Sequence, residues 1–418
     1  MLRGYDEILE SEFFAIFQRY YNSERCVKQQ HNPHNYSLRQ MGPLAELAGN
    51  PERNLSIVHV AGTKGKGSTS HFISCLLGAA GFRVGLFTSP HLATVRERFQ
   101  LDNMLAPYDK LMAVGRELRN RLEEAGLKPS LFEIFTLLAL RLFVEEGMNW
   151  AVLETGIGGR LDATNYISNP LCTVITPVSF DHQALLGSSI EEIAAEKAGI
   201  LKPYCPLLLG KQPYAAAEAV ILRRAEELNV QVYRPMTKVP EGILPVNYPE
   251  FLRDNFALAL KLTEVLELKP DWSSFRLPEL RARCELIRRE PPVILDGAHN
   301  GDSMQKLVAA LRQLYPGMEF IVVLGAVKGK NLEDMLMALL ELPARFILTN
   351  THGPKTSALP ELEEAAARVG LPVIGRIENL CSAEQLPADK PLLFTGSFFS
   401  ALIGEKIFSK SRGEGKPV

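Results

Sequence analysis

A chain of 418 residues with 46% hydrophobic and 22% charged residues has enough material for two or three ordinary globular domains. Its net charge of −2 gives no electrostatic basis for holding nucleic acid or an anionic membrane. The acidic start MLRGYDEILESEFF argues against a signal peptide, and the apolar run at 134–144, broken by Arg141, argues against a bilayer span. Six cysteines without a CxxC pair read as reduced thiols of a cytosolic protein, and His31 with His34 reads as part of a polar loop.

Along the chain, β-rich apolar runs at 56–61, 83–88, 150–154, 172–177 and 206–210 alternate with helical patterns. Those helical patterns fall at 68–80, 108–125, 131–146, 190–200 and 214–228. The alternation predicts an α/β fold with a parallel sheet and helices on both of its faces. A further helix opens near Asn255, and a basic, proline-flanked stretch follows at 277–292. Strand and helix patterns then restart at 293–296, 303–314, 319–325, 332–341, 345–349, 359–369, 373–375 and 391–395. The expected division is therefore a first domain at 1–288 and a smaller α/β domain at 289–418, with nucleotide bound between the two lobes.

The segment LSIVHVAGTKGKGSTSHFISCLL carries the strongest chemical signal. An apolar strand gives way to Gly62, Gly65 and Gly67, then to a helix. Glycines let the backbone turn left-handed and approach a ligand, so amides at the helix start can point at phosphates. Lys66 adds a cation that reaches terminal phosphates. The spacing is shorter than the Walker pattern, and Gly67 replaces the hydroxyl that normally follows the lysine. Other groups must then hold Mg²⁺, and Ser89 and Glu154, each just past a strand, are the candidates. Asp181 and His182 follow the next strand, while Glu154 leads into Gly156, Gly158, Gly159, Arg160 and Asp162. The plainer readings are a solvated acid for Glu154, a turn cap for Ser89 and a local loop pair for Asp181–His182.

The segments AGTKGKGST, TSPHL, LETGIGGRLDATN, DHQALLG, EKAGILKP and ILDGAHN occur in this order. Together they resemble folylpolyglutamate synthase and dihydrofolate synthase, of the Mur-ligase superfamily. The resemblance implies a P-loop-containing parallel-sheet ATP-binding domain followed by a Rossmann-like glutamate-ligase domain. It also implies an enzyme that uses ATP to join a folate or dihydropteroate carboxylate to L-glutamate, and a monomer. Position by position, Gly62, Thr63, Lys64, Gly65, Lys66, Gly67 and Ser68 would bind ATP, with Asn255, Arg283 and Asp296 on its other side. Ser89 and Glu154 would hold one Mg²⁺ and His182 a second, beside a CO₂-derived carbamate on Lys197. Lys66, Lys197 and His182 would carry the catalysis.

The acid substrate would meet Asn35, Tyr36, Ser37, Leu38, Ser130, Leu131, Phe132, Glu133, Leu161, Asp162 and Ala163, and the glutamate would lie near His299. Without the resemblance, Lys197 reads as a surface helix lysine, Asn255 as a helix N-cap and Arg283 as one basic residue among several. Three positions depart from the family pattern: Lys64 in place of Asn, Gly301 in place of Pro, and GKN at 329–331 in place of DKD. Two other readings start from the same loop. A peptidoglycan Mur ligase would carry an extra substrate domain before the cradle, and a non-catalytic P-loop regulator would need neither Glu154, His182 nor Lys197.

Overall fold

The structure, a computed structural model, describes residues 2–20, 38–329, 331–351 and 357–408. It divides into two compact units. One contains the chain up to Val246 together with Leu252–Pro278, and the other contains Asn247–Phe251 and the chain from Glu279 onward.

The first unit is built on eight strands: β1 (Ser56–Ala61), β2 (Val84–Phe87), β3 (Phe99–Leu101), β4 (Met104–Leu105), β5 (Trp150–Glu154), β6 (Cys172–Ile175), β7 (Leu207–Leu209) and β8 (Val232–Tyr233). Their order across the sheet is β4-β3-β2-β5-β1-β6-β7-β8. From β2 to β8 every pairing is parallel, whereas β3 and β4 add an antiparallel edge. The central strands β1, β2, β5 and β6 are buried almost throughout, which is why they read as continuous apolar runs. Because β2, β5, β1 and β6 are adjacent and parallel, the residues that follow each of them emerge at one edge.

One face of this sheet is covered by Tyr108–Glu124 and Leu131–Glu145, around an aromatic cluster of Phe13, Phe17, Phe99 and Phe135. On the β6–β7 side, Ile190–Ala198 and Ala215–Glu227 supply a second core.

The second unit holds β9 (Glu285–Arg289), β10 (Pro292–Leu295), β11 (Phe320–Leu324), β12 (Ala344–Thr349), β13 (Val373–Ile377) and β14 (Leu392–Thr395). Their order is β13-β12-β11-β14-β10-β9, parallel except for β9. Helices at Gly301–Leu314, Leu332–Leu339 and Leu359–Val369 pack on this sheet around Met304, Leu307, Met335 and Leu362.

Three sequence expectations change. The basic stretch at 277–292 contains β9, which pairs with β10, so a cut at 288/289 would split a strand from its partner. The helix expected to open near Asn255 begins at Glu250, so Asn255 lies inside the helix and is no N-cap. The antiparallel β3–β4 edge was not anticipated, because two- and three-residue strands carry too little alternation to register. Among the described residues, no helix is long and apolar enough to cross a membrane.

Candidate active site

The turn between β1 and the helix Lys66–Ala79 is shaped by two glycines with positive φ, Gly62 at +143° and Gly65 at +85°. A Cβ on Gly62 would fall 1.9 Å from Thr176 Oγ1, and one on Gly65 would fall 2.5 Å from Asn255 Oδ1. Neither position has room for a side chain. Thr63 Oγ1 donates to the Ser179 carbonyl and accepts from the Ser179 amide, both at 3.1 Å. The amides of Thr63 and Lys64 donate to the Pro177 carbonyl at 3.0 and 3.1 Å. Those two amides are thus committed to the neighbouring loop, so the backbone share of the cradle moves one step along. The helical ladder begins with Thr69 N–H donating to Gly65 O, which leaves the amides of Lys66, Gly67 and Ser68 at the open, positive end of the helix.

Charged groups from three strand ends meet at this turn. Lys66 Nζ lies 3.8 Å from Glu154 Oε1, and Glu154 Oε2 accepts the Ser89 amide at 3.1 Å. Glu154 is buried, so it is not the solvated acid of the plainer reading. Lys64 Nζ lies 3.1 Å from Asp181 Oδ2. His182 is half-exposed, and its ring sits 3.9 Å from the Asp181 carboxylate.

Lys197 is buried, not a surface lysine. Ile190, Ile193, Ala194 and Lys197 recur at helical spacing, so the lysine shares the helix's buried face. Burial first, then the charges of Lys66 and Lys64, push its ammonium down to about 7, against the pull of Asp181 and Asp162. Near neutral pH a substantial fraction of Lys197 is a free amine, and that form is nucleophilic.

The turn after Glu154 is clamped onto the helix that carries Lys197. Arg160 N–H donates to the Glu196 carbonyl at 2.7 Å, and the Arg160 side chain pairs with the Glu196 carboxylate. A Cβ on Gly156 would meet the Phe132 ring at 2.6 Å, so this ring lies flush on the turn. Leu38, Leu131, Phe132 and Ala163, all expected to meet the acid substrate, belong to or pack on one apolar cluster. Leu161 beside them is half-buried. Asn35, Tyr36 and Ser37 lie outside the described residues.

Ser130 and Glu133 are engaged with one another. Ser130 N–H and Oγ donate to Glu133 Oε2, and Glu133 N–H donates back to Ser130 Oγ, a reciprocal cap on the helix Leu131–Glu145. Asp162 accepts from Ile157 N–H, Thr164 N–H and Thr164 Oγ1.

In the second unit, Asp296 closes β10 and accepts the amides of Cys284 at 2.8 Å and Ala298 at 2.7 Å. Burial raises it to about 6, opposed by nearby Arg283 and by those amides. The Arg283 guanidinium stacks 4.6 Å from the centroid of Phe398, and the His299 ring lies 6.2 Å from the same centroid. His299 Nδ1 bonds the Gly297 carbonyl. Arg283 and His299 therefore share Phe398 as a floor, with Asp296 near the guanidinium.

Residues 282–398 match the Mur ligase, glutamate ligase domain family. The chain is 32% identical to the dihydrofolate synthase/folylpolyglutamate synthase of Bacillus subtilis, over 79% of this chain and 84% of that one. It is 30% identical to the folylpolyglutamate synthase of Lacticaseibacillus casei, over 87% and 92% respectively. The chain belongs to the folylpolyglutamate synthase/dihydrofolate synthase family.

Structural similarity agrees with this. The Mycobacterium tuberculosis folylpolyglutamate synthase complexed with ADP and AMPPCP superposes with a TM-score of 0.80 at 27% identity, covering 92% of this chain and 96% of that one. A bifunctional folylpolyglutamate synthase/dihydrofolate synthase with Mn, AMPPNP and L-glutamate bound gives 0.76 at 27% identity, covering 88% and 93%. Family membership makes the chain an ATP-dependent, ADP-forming ligase.

Within this synthase-family chain, the first unit places Lys66 beside Glu154, Glu154 against the Ser89 amide, and Lys64 and His182 beside Asp181. Phe398 was not singled out, since an aromatic at the start of an apolar helix looks like core. The glycine at 297 was the available signal, because the ring occupies the space that a Cβ there would fill.

Proposed function

We propose that this chain uses ATP to join the carboxylate of a folate or dihydropteroate to the amino group of L-glutamate. A carboxylate does not acylate an amine directly, because oxide is a hopeless leaving group. In the proposed first step, a carboxylate oxygen bonds to the γ-phosphorus, the bond to the β–γ bridging oxygen breaks, and ADP leaves. In the second, the glutamate nitrogen attacks the acyl carbon, loses a proton, and inorganic phosphate departs.

Lys66 and the amides of Lys66, Gly67 and Ser68 would stabilise charge on the transferring phosphoryl group. Glu154 and Ser89 would hold one Mg²⁺, and His182 with a Lys197 carbamate a second. The donor set suits that ion. Glu154 offers the carboxylate oxygen that Mg²⁺ takes, and phosphate oxygens and water would fill its remaining positions. When bound, the metal supplies positive charge that the lysines alone do not provide. The amine of Lys197, partly neutral near pH 7, can add to CO₂ and release a proton to give the carbamate. Arg283, Asp296 and Asn255 are assigned to the nucleotide, His299 to the glutamate, and Leu38, Leu131, Phe132 and 161–163 to the acid substrate. Cytosolic, monomeric character remains part of the same proposal.

The observation that carries this reading is the convergence of Lys66, Glu154, Asp181 and the buried Lys197 at one edge of a parallel sheet. A bare ATP-binding regulator would leave that buried lysine without a task. The test offers dihydropteroate and tetrahydrofolate separately with ATP, Mg²⁺ and labelled glutamate. A mass gain of one glutamyl unit on either acid, with ADP release dependent on acid and glutamate together, is expected. ATP turnover indifferent to both would overturn it.

A further inference from the structure

One buried polar chain links the cradle strand to the turn at 161–163. His59 sits on β1 among Ile57, Val58 and Val60, fully buried, opposite Leu153 of β5 and Thr173 of β6. Its Nε2 lies 2.7 Å from Thr164 Oγ1, and Thr164 Oγ1 lies 2.6 Å from Asp162 Oδ1. A hydroxyl owns one proton. If Thr164 gives it to the Asp162 carboxylate, its oxygen must accept from His59, which places the imidazole proton on Nε2. Nδ1 is then a bare acceptor, and among the described residues Nδ1 has no hydrogen-bond partner.

Burial holds the imidazole far down, to about 3, so the ring stays neutral and carries a single proton. A leucine here would bury no unpaired nitrogen, so packing alone does not account for a histidine. The other Asp162 oxygen, Oδ2, accepts the Ile157 amide at 3.0 Å, so the carboxylate is held from both sides.

We propose that His59 and Thr164 are positioning residues for the acid substrate: they fix the direction of the Asp162 carboxylate, and with it the 161–163 turn, from the strand that ends in the phosphate cradle. This rests on the reading that 161–163 meets the acid substrate. The relay runs one way, His59 to Thr164 to Asp162, and it makes substrate alignment depend on a residue that touches neither substrate.

Two variants at Thr164 test it with little change in size. Thr164→Val should raise KM for the acid substrate about tenfold while KM for ATP and kcat stay within about twofold, and Thr164→Ser should restore the wild-type value. His59→Gln, which keeps a donor near Nε2, should resemble wild type, and His59→Leu should resemble Thr164→Val. Independently of any activity, ¹⁵N NMR of the histidine ring should show the Nε2–H tautomer unchanged from pH 5 to 9. Unchanged KM in Thr164→Val, or equal losses in KM for both substrates and in Tm for Val and Ser alike, would overturn the proposal, as would an Nδ1–H tautomer. If the enzyme ligates no folate, the tautomer result still stands and only the substrate assignment fails.

Discussion

The two units assemble their polar clusters by opposite means. In the first, main chain does most of the shaping: glycines without room for a Cβ, amides tied to the Pro177 carbonyl, and a helix start with open N–H groups. In the second, side chains do it, with a guanidinium and an imidazole gathered over the Phe398 ring beside a buried carboxylate. A main-chain site is intolerant of small steric changes, whereas a side-chain site should lose function in graded steps. Each unit also holds a charge that responds to pH near neutrality, since burial brings Lys197 down to about 7 in the first and Asp296 up to about 6 in the second.

The largest effect is expected at Lys66. Lys66→Ala should lower kcat by on the order of 10²- to 10³-fold in an ADP-release assay, in line with removing one preorganised charge from a phosphoryl-transfer site. Wild-type turnover in that variant would remove the cradle from the chemistry. Lys197→Met should cost on the order of 10²-fold in kcat yet raise Tm. The sign follows from linkage. Lys197 falls from the ordinary 10.5 to about 7 on folding, so its burial penalty is fully present below pH 7 and fades as pH rises toward 10.5. The Tm gain should fade in parallel across differential scanning fluorimetry runs, and a gain independent of pH would contradict the buried-amine picture.

Gly65→Ala comes next. Its φ of +85° and the 2.5 Å approach to Asn255 predict a loss of about 1–3 kcal/mol. Because the three atoms nearest that Cβ all belong to the Asn255 side chain, Gly65→Ala should cost less stability in an Asn255→Ala background, and strict additivity in urea melts would argue that only the backbone angle matters.

For the side-chain cluster, Phe398→Leu should be milder. Loss of a cation–π contact of about 1 kcal/mol should raise KM for ATP by roughly fivefold, with kcat little changed. Phe398→Tyr should retain most of the affinity, and no difference between Leu and Tyr would deny the stacking role.

The smallest effect is at Asp296. Its carboxyl is raised from 3.8 to about 6, so its contribution to stability is greatest below pH 4 and is lost as pH rises through 6. Asp296→Asn should flatten that part of the stability–pH curve.

Much of this was readable before any coordinates. Short β-branched apolar runs such as Ile57–Ala61 and Trp150–Glu154 read as buried strands because glycine clusters follow straight after them and mark the turns. Helix faces were less legible. Without the resemblance Lys197 reads as a surface lysine because Glu196 stands beside it, although Ile190, Ile193 and Ala194 place it inward. The spacing of Ser130 and Glu133 is also that of a helix cap, which the structure shows. The boundary between units was displaced because β9, ELIRR, has the composition of a solvated segment and is a strand through its pairing with β10. His59 escaped notice for a related reason: a single polar residue within an apolar strand has no periodicity to betray its partners.

The Pro177 carbonyl has a consequence for how nucleotide arrives. By engaging two successive amides of the glycine turn, it ties that turn to the neighbouring loop through protein contacts alone. Binding should then spend little entropy on ordering the loop, and amide exchange at Thr63 and Lys64 should be slow in the free protein. Association would resemble a key entering a machined slot rather than a hand closing on its object.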